Sequence, residues 1–215
     1  MLNGANVAAV RFGGEGDWEV LQFSKAQLIA PQTYLLENLL RGQAGTDAAM
    51  PTVWPAGADF VLIDSAVTQL PVTPSSRGLA RHYRVGPASL PYGDASFFHT
   101  VETFEGVGLR PYRPVHLAAK RNADGSITLS WVRRTRVDGD SWNGLDVPVG
   151  EDRLLFDVRV LEGETLLRRV DVQGASYVYT AADQGADGWP QSLVFEVAQV
   201  SERFGPGPYG RIEFT

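Results

Sequence analysis

Two pairs of carboxylates are of the residue type that could perform acid–base chemistry on sugars. They are Glu102 with Glu105, and Glu151 with Asp152. Glycoside hydrolysis needs one carboxyl group to protonate the leaving oxygen and a second to act as base or nucleophile. Nothing in the sequence places either pair in a cleft, and the chain has no G-x-S-x-G or Walker motif. We therefore predict no catalytic residues and a protein that is not an enzyme.

The histidines and one glycine motif are weaker candidates. His82 and His99 lie near Asp94 in the sequence, but a Ser-His-Asp triad is defined by spatial geometry. Ordinary strand or loop histidines are the simpler interpretation. The segment G-P-G-P-Y-G at 205–210 matches a dinucleotide fingerprint, which must lie between a strand and a helix in a βαβ unit. Here it contains two prolines and lies at the end of the chain. We predict a loop between the last two strands, and no cofactor.

The segment D-G-D-S-W-N-G at 138–144 resembles a calcium-binding loop. An EF-hand needs oxygen ligands at its first, third and fifth positions, glycine at the sixth and glutamate at the twelfth. Here tryptophan, asparagine and valine occupy the fifth, sixth and twelfth positions. An irregular calcium site formed by Asp138, Asp140 and Asp146 stays open beside the simpler interpretation, a solvated loop. We assign no metal.

Loop aromatics are the stronger candidates for a contact surface. Trp142 and Trp189 both lie in loops rich in glycine and aspartate, and Tyr209 is a third candidate. Exposed aromatic rings serve in sugar stacking and as hot spots of protein interfaces. The favoured interpretation is nevertheless structural, that each ring folds back and caps the edge of the sandwich, with the contact surface as the alternative. Trp131, within an alternating pattern, is predicted to lie in the core.

The charge of the chain limits its partners. The net charge is −6 and the pI is about 5.1, so we expect no nucleic-acid partner, because that affinity comes from clustered Lys and Arg. The run R-R-T-R at 133–136 could bind an anion. Salt bridges to nearby acids are the favoured interpretation, with four candidate partners: Asp138, Asp140, Glu151 and Asp152.

Composition indicates a globular protein. The 215 residues are 44% hydrophobic and 20% charged, which fits one large domain or two small ones. Cysteine is absent, so disulfides and thiolate zinc sites are excluded, and three histidines disfavour a histidine-rich metal site. No apolar run reaches the roughly 18 residues of a membrane span. The N-terminus lacks the pattern of a signal peptide.

The C-terminal half has the pattern of a β-sandwich. Apolar and polar residues alternate in about seven short segments, with turn residues between them. The segments are 115–120, 127–132, 154–161, 166–172, 177–179, 193–200 and 211–214. Pro111 and Pro114 restrict the residues before them to extended conformations and mark a stiff linker. We predict two domains, a β-rich one at 1–112 and a sandwich at 113–215.

The N-terminal half is predicted to be a smaller β-rich domain. We expect strands at five segments: 6–12, 18–23, 60–63, 81–85 and 96–103. The strand at 60–63 is purely apolar and is expected to be buried. In 32–42 the leucines have helical spacing and a glycine could end the helix, so we predict a short helix, with a strand as the alternative. The fold class is therefore mainly all-β.

Three features resemble a fibronectin type III module. They are Pro114 before the first strand, I-T-L-S-W at 127–131 with its core tryptophan, and F-E-V-A-Q-V at 195–200 followed by S-E-R-F-G-P-G-P. The resemblance covers roughly 113–215 and implies a β-sandwich. The insertion at 136–153 departs from it and would form an extended loop. Such modules serve both as spacers and as binders, so the fold does not define a function.

Several further stretches together resemble one protein family. They are W-E-V-L-Q-F at 18–23, L-L-R-G-Q-A-G-T at 39–46, P-A-G-A at 55–58, G-V-G-L-R-P at 106–111, and W-V-R-R-T-R at 131–136 continuing to G-D-S-W at 139–142. The combination resembles the C-terminal region of the large baseplate protein at the tail tip of gene transfer agents and siphophages (the "megatron", similar to host-specificity tail proteins). The resemblance covers nearly the whole chain.

The resemblance implies a structural part at the distal end of a phage-like tail, which contributes to attachment to or penetration of the host envelope. It implies other tail and baseplate proteins as partners, a homotrimer around the tail axis, and a bacterial surface polysaccharide or envelope receptor. Such a part is assembled in the cytoplasm and released without a signal peptide. Proteins of this family are much longer and have an upstream hydrolase-like barrel, so we expect a fragment or a separately encoded piece.

Two other classes of function stay open. One is a carbohydrate-binding appendage of a glycan-active enzyme, or such an enzyme itself, using Trp142, Trp189 and a pair of acids. The other is an intracellular interaction domain unrelated to phages.

Overall fold

The computed structural model of the chain describes residues 4–14, 16–139 and 146–214. Within these residues nearly all regular structure is β, as the alternating sequence pattern predicts. The strands are β1 (Val7–Arg11), β2 (Glu19–Ala30), β3 (Thr33–Gln43), β4 (Asp59–Leu62), β5 (Ala80–Val85), β6 (Phe98–Thr103), β7 (Val115–Arg121), β8 (Ile127–Val132), β9 (Leu155–Glu162), β10 (Thr165–Gln173), β11 (Ser176–Tyr179), β12 (Leu193–Ser201), β13 (Gly205–Pro206) and β14 (Gly210–Phe214). The helical elements are α1 (Ala181–Ala186) and 3-10 turns at Pro74–Ser76 and Val107–Leu109.

The C-terminal half is a fibronectin type III-like β-sandwich, which confirms the predicted fold class. One sheet has the order β10-β9-β12, and both β13 and β14 pair with β12. The other sheet has the order β11-β8-β7. All of these pairs are antiparallel. Each predicted segment of the sandwich corresponds to one strand, because period-two alternation directs one face of every strand into the core.

The sandwich core is built from the inward side chains of both sheets. Ile127, Leu129 and Trp131 of β8 lie in one buried cluster with Phe156 and Phe195. The ring of Trp131 is 4% exposed, and its centroid lies 5.1 Å from that of Phe156 in an edge-to-face arrangement. Trp131 is therefore a core residue, as predicted. Burial of each such side chain contributes about 1.5–3 kcal/mol.

The N-terminal segment forms a separate four-stranded sheet with the order β3-β2-β1-β4. All three strand pairs are antiparallel, and β2 continues well past the end of β1 to form a long hairpin with β3. The small core on this sheet consists of Ala8, Val10, Leu21 and Phe23, packed by Leu36, Trp54 and Ala58. The sheet therefore has a covered end near β1 and an extended hairpin beyond it.

The predicted helix at 32–42 is wrong, because this segment is strand β3. Its leucines come in adjacent pairs, so a strand places apolar side chains on both of its faces, and the helical spacing is incidental. In the observed register Leu36 pairs with Ala26 and Leu39 with Phe23. Gly42 does not cap a helix. A Cβ at this position would lie 2.8 Å from the Asp47 Cα, so the glycine permits a close approach of two backbone segments.

The predicted strand at 60–63 is present as β4, but the expectation that it is buried is wrong. Phe60 is 48% exposed and Leu62 is 43% exposed. The strand lies at the edge of the sheet and pairs with β1 on one side. An apolar run in an edge strand is available for contact with another surface.

The chain divides into two compact units. One comprises residues 1–64 and 108–215, and the other comprises residues 65–107. The second unit contains the antiparallel hairpin β5–β6, as the sequence predicts at 81–85 and 96–103. The division into a β-rich domain at 1–112 and a sandwich at 113–215 stays a prediction.

The linker with its two prolines packs against the loop between β12 and β14. Gly207 is buried, and a Cβ added there would lie 2.2 Å from the carbonyl oxygen of Pro111. A Cβ at Gly210 would lie 2.9 Å from the carbonyl oxygen of Pro114. Two glycines of the G-P-G-P-Y-G segment thus admit the linker backbone. The segment connects the last strands, as predicted.

Candidate functional site

Trp189 lies beside a cleft between α1 and the turn that joins β7 to β8. The cleft has a volume of about 350 Å³, and it is lined by Arg121, Asp124, Gly125, Ala181, Gln184, Trp189, Pro190 and Gln191. Such a volume is at the lower end of the range for small-ligand sites. Of the three predicted contact residues, Trp189 is the one that lines a cleft among the described residues.

Helix α1 forms one wall of the cleft and is held firmly. Thr180 and Asp183 form a capping box at its start, each side chain bonding the backbone N–H of the other. Arg168 of β10 donates to Asp187 at 2.9 Å and pairs with Asp183 at 3.0 Å. The hydroxyl of Tyr179 donates to Asp187 at 2.9 Å. A helix of six residues is not stable by itself, so these bonds fix its position.

Trp189 remains 59% exposed. Its backbone N–H donates to the Gln184 carbonyl at 2.8 Å and ends the helix. The residue has a φ of +54°, a conformation that costs a residue other than glycine of order 1 kcal/mol. The ring stands over Gly185, where an added Cβ would lie 3.4 Å from it. The ring thus contacts the helix on one side and presents the rest of its surface to solvent.

The opposite wall of the cleft is polar. Asp124 accepts hydrogen bonds at Oδ1 from the Ser126 backbone N–H at 3.0 Å and from its hydroxyl at 2.6 Å. These bonds hold the pKa of Asp124 below its usual value, so the group is ionised at neutral pH. Nη1 of Arg121 donates to the Gly125 carbonyl at 3.3 Å. The wall therefore carries one negative and one positive charge.

Gln184 connects the two walls from below. It is 5% exposed, and its Nε2 donates to the carbonyls of Gly125 at 3.0 Å and Tyr179 at 3.2 Å. Its Oε1 lies 3.5 Å from Nη1 of Arg121. The amide thus binds α1 to the β7–β8 turn. The sequence predicts turn residues between β7 and β8. It gives no signal for Arg121, Asp124 or Gln184 as site residues, because no local pattern brings the three together.

A second candidate surface is the apolar part of the N-terminal sheet, which we call the hairpin surface. It contains the exposed apolar side chains of β2, β3 and β4: Leu28, Ile29, Tyr34, Leu35, Leu39, Leu40, Phe60, Val61 and Leu62. A cavity of about 540 Å³ opens on it, between Phe23, Leu36 and Phe60. These side chains lie on both faces of the sheet, because neighbouring residues of a strand point to opposite faces. Exposed apolar side chains in such number are typical of an interface with another protein.

Tyr209, the third predicted contact residue, takes part in a buried polar network. Its hydroxyl donates to Asp157, which is fully buried in β9 and also pairs with Arg169 at 2.9 Å. The guanidinium of Arg159 lies 3.9 Å from the centroid of the Tyr209 ring. Burial and the Asp157 carboxylate raise the pKa of Tyr209 to about 12. These contacts give Tyr209 a structural role.

The candidate calcium loop lies partly outside the described residues, since Asp140 and Trp142 both belong to 140–145. Asp138 is exposed, and Asp146 accepts from Nη2 of Arg133 at 2.7 Å. Among the residues that the structure describes, no group of three histidine or acidic side chains could hold a metal ion. The solvated loop therefore stays the prediction, with an irregular calcium site as the open alternative and no metal assigned.

The acid pairs and the histidines do not form a catalytic arrangement in the described chain. Glu102 and Glu105 are both exposed, and Glu151 accepts from Arg136 at 2.9 Å rather than facing Asp152. The rings of His82 and His99 stack on each other with their centroids 5.2 Å apart. Asp94 accepts from Ser96 instead of either histidine.

The basic run at 133–136 is used in ion pairs, as the sequence predicts, and of the predicted partners that the structure describes, Glu151 is the one involved. Arg136 pairs with Glu151. The other two arginines pair with Asp146 and with the more distant Asp47. The run therefore serves structure, and an anion site is not needed to explain it.

The N-terminal sheet contains a buried ion pair, Glu19 with Arg41, that the sequence does not predict. Glu19 is fully buried and accepts from Arg41 at 2.6 and 2.9 Å, from the indole N–H of Trp54 at 2.6 Å and from the Gly42 backbone at 3.1 Å. Burial by itself would raise the pKa of Glu19, but these hydrogen bonds outweigh it and lower the pKa. All donors come from distant parts of the sequence, so no local signal marks the site.

Fold and surfaces together define the class of this protein. It is an all-β protein with a fibronectin type III-like sandwich, a cleft beside an exposed tryptophan and an apolar hairpin surface. Among the described residues, no helix is long and apolar enough to span a membrane.

Comparison with known proteins adds a family match for part of the chain. Residues 1–61 match the model of the family described as "Rcc01698-like, C-terminal". This match fits a protein related to gene transfer agents, as the sequence resemblance implies. No curated protein matches the chain.

Two solved structures are similar to the chain at low identity. Domains d3–d4 of the rat CD45 extracellular region are 12% identical, with a TM-score of 0.33, over 95% of this chain and 100% of that one. The FN1–FN3 domains of chicken CNTN1 are 13% identical, with a TM-score of 0.34, over 97% of this chain and 53% of that one. The fold assignment rests on the strand pairing of the sandwich.

Proposed function

We propose that the chain is a structural component of the tail tip or baseplate of a gene transfer agent, where it contributes to attachment to or penetration of the host envelope. The observation that carries this proposal is the match of residues 1–61 to the Rcc01698-like C-terminal family. The matched residues comprise β1, β2, β3 and most of β4, the elements that bear the hairpin surface. The role is mechanical and not enzymatic.

The hairpin surface supports a role within an assembly. Leu28 and Tyr34, each 60% exposed, pair across β2 and β3 near the end of the hairpin. Lys25 and Glu37 form an ion pair with each other, so the charges of this part of the hairpin are matched internally. A surface with few unmatched charges and many apolar side chains is suited to bury itself against an equivalent surface. We propose other copies of the chain as its occupant, in the trimer that the family resemblance implies.

The proposed location follows from the same argument. The protein would be assembled in the cytoplasm into a virion-like particle and released with that particle. Other tail and baseplate proteins would be its further partners.

Electron microscopy of purified particles tests this proposal. An antibody raised against the chain and detected with gold should label the distal end of the tail, and deletion of the gene should remove the label together with tail-tip density. If mass spectrometry of purified particles finds no peptide of the chain, the proposal fails.

The Trp189 cleft favours a second candidate, a carbohydrate-binding appendage. The two candidates are compatible, because an attachment protein has to recognise something on the envelope. An enzymatic version has no support from the described residues, in which the acid pairs of the sequence are exposed or bound to arginine.

A further inference from the structure

We infer that the Trp189 cleft binds one hexopyranose unit of a neutral saccharide chain, with the sugar ring stacked on the exposed face of Trp189. The inference deepens the attachment function proposed above and rests on it for the biological source of the sugar, a polysaccharide of the bacterial surface. The cleft itself is described by the contacts of Arg121, Asp124, Gln184 and Trp189.

The first argument is the combination of an aromatic ring with polar groups in one cleft. A pyranose ring has an apolar face of C–H groups and a rim of hydroxyl groups. A stacked indole matches the first, and hydrogen-bonding side chains match the second. Trp189 keeps 59% of its surface exposed, although its backbone is fixed by the bond to the Gln184 carbonyl at 2.8 Å. A ring held in place but not covered is suited to stacking.

The second argument is the bonding capacity left on the polar wall. Both hydrogen bonds from Ser126 reach Oδ1 of Asp124, so Oδ2 can accept from a sugar hydroxyl. In the described chain Arg121 donates hydrogen bonds through Nη1, which leaves Nη2 and Nε able to donate to a hydroxyl oxygen. The cleft lining thus offers one acceptor and one donor, each able to bond a hydroxyl group of a sugar.

The third argument concerns charge, and it selects a neutral ligand. The cleft lining contains one cation, Arg121, and one anion, Asp124. The two charges offset each other, so neither a phosphate nor a sugar acid has the excess of positive charge that it requires. Uncharged hydroxyl groups are the ligand atoms that such a pair accommodates.

The fourth argument is preorganisation. Gln184 bonds the carbonyls of Gly125 and Tyr179, so α1 and the β7–β8 turn keep their spacing without a ligand. The Gln191 side chain donates to the Trp189 carbonyl at 3.0 Å, and its backbone N–H donates to Glu162 at 2.9 Å. A rigid cleft loses little conformational entropy when a small ligand binds, which permits useful affinity from few contacts. Gln184 is accordingly a positioning residue.

Titration of the purified chain with methyl glycosides of glucose, galactose, mannose and N-acetylglucosamine, and with neutral bacterial capsular oligosaccharides, tests the inference. The readouts are protection of tryptophan fluorescence from acrylamide quenching and the shift of the Trp189 indole N–H signal in NMR spectra. We expect saturable protection by at least one sugar at millimolar concentrations. If no probe produces it, the inference is wrong.

Three variants make the test specific. Trp189→Gly removes the ring at a residue whose φ of +54° suits glycine, so the fold is retained. It should weaken binding, followed by the NMR shifts of neighbouring residues, at least about tenfold. Trp189→Phe should keep most of the affinity. Tyr92→Ala, which removes an exposed ring of the other compact unit, should leave it unchanged. Equal affinity of Trp189→Gly and the wild type would overturn the inference.

The two proposals can fail separately. A chain that binds no saccharide but labels the tail tip in particles would refute the sugar site and retain the structural role. A chain that binds a saccharide through Trp189 but is absent from particles would retain the sugar site and refute the structural role.

Discussion

Single charged residues in this protein hold the fold together. Glu19 and Asp157 are each fully buried, and each carboxylate is surrounded by donors from other elements. A buried charge without such partners would cost several kcal/mol. These groups resemble catalytic acids only in being buried. Their partners are arginine, tryptophan and tyrosine side chains that bind the carboxylates and occupy their lone pairs.

Glu19 gives the fold an acid-sensitive contribution. Its pKa in the folded chain is lowered from an ordinary value of 4.5, so the stabilisation is complete above that pH and is lost as the pH falls through the lower folded value. We expect Glu19→Gln to reduce the free energy of unfolding by about 1–3 kcal/mol at neutral pH. Urea unfolding at several pH values measures this difference. It should shrink on acidification, and a difference that grows would contradict the explanation.

Tyr209 makes a contribution to the free energy of unfolding that depends on alkaline pH. Its pKa is raised from 10.0 to about 12, because burial and Asp157 favour the neutral phenol. The stabilisation is therefore complete below pH 10 and is lost as the pH rises towards about 12. The stability difference between wild type and Tyr209→Phe, measured by urea unfolding, should narrow over this range. A constant difference would show that the phenol proton has no role.

Gly207 tests the packing of the linker. An added methyl group would meet the Pro111 carbonyl oxygen, so we expect Gly207→Ala to lower the free energy of unfolding by about 3 kcal/mol. Gly93→Ala is the matched control, since nothing lies within 4 Å of a Cβ there and its φ is ordinary. Thermal unfolding of the two variants gives the comparison. Equal melting temperatures would mean that the linker does not pack against Gly207.

At the scale of elements, the β2–β3 hairpin differs from the surface of an ordinary monomeric protein. Its far end has exposed apolar side chains where a solitary sheet would have polar ones. In the sandwich, by contrast, the apolar side of each sheet is covered by the other sheet. The hairpin surface is thus exposed in the isolated chain, whereas the two sheets of the sandwich cover each other.

Charged substitutions on the hairpin surface should separate assembly from folding. The double variant Leu28→Lys, Tyr34→Lys changes two side chains that are each 60% exposed, so the melting temperature should change little. Self-association of the wild type in sedimentation velocity should increase with concentration and should be abolished in the variant. Val132→Lys, at an exposed apolar residue of β8, is the control. The explanation would be wrong if that control abolished association equally.

At the scale of the whole molecule, Asp47 connects the N-terminal sheet with the sandwich inside one compact unit. It follows β3, and its carboxylate accepts from Arg113 of the linker at 3.3 Å and from Arg134, after β8, at 3.0 Å. Nη2 of Arg113 also donates to the Asp47 backbone carbonyl at 2.6 Å. Three segments that are distant in the sequence meet at this one residue.

Removal of this connection should loosen the unit without unfolding either part. We expect Asp47→Ala to cost about 1–2 kcal/mol, because both arginines are partly exposed and can be hydrated. Amide hydrogen exchange should accelerate in the segment after β3 and in the linker, while β8, β9 and β12 keep their protection. Asp152→Ala, at an exposed aspartate, should change neither the free energy of unfolding nor the exchange rates. Uniform acceleration throughout the sandwich would contradict the prediction.

The sequence by itself determined the strands of the sandwich. Alternation at Ile127, Leu129 and Trp131 has one physical cause, a strand with one buried face, and this cause operates within a few residues. It also indicated Trp189, because a tryptophan among glycine and aspartate has no local partner. The leucines of β3 were misjudged, since a short apolar run fits a helix or a strand until its neighbour is known.

Tertiary structure alone decided which residues meet. The cleft of Arg121, Asp124 and Trp189 joins a turn to a segment about sixty-five residues further on. Glu19 of β2 meets Trp54 of the segment between β3 and β4. Pairing of strands sets such contacts through register and sheet order, which depend on the whole chain at once. Local alternation therefore reveals where the strands lie, and only their packing reveals which side chains can bind a ligand together.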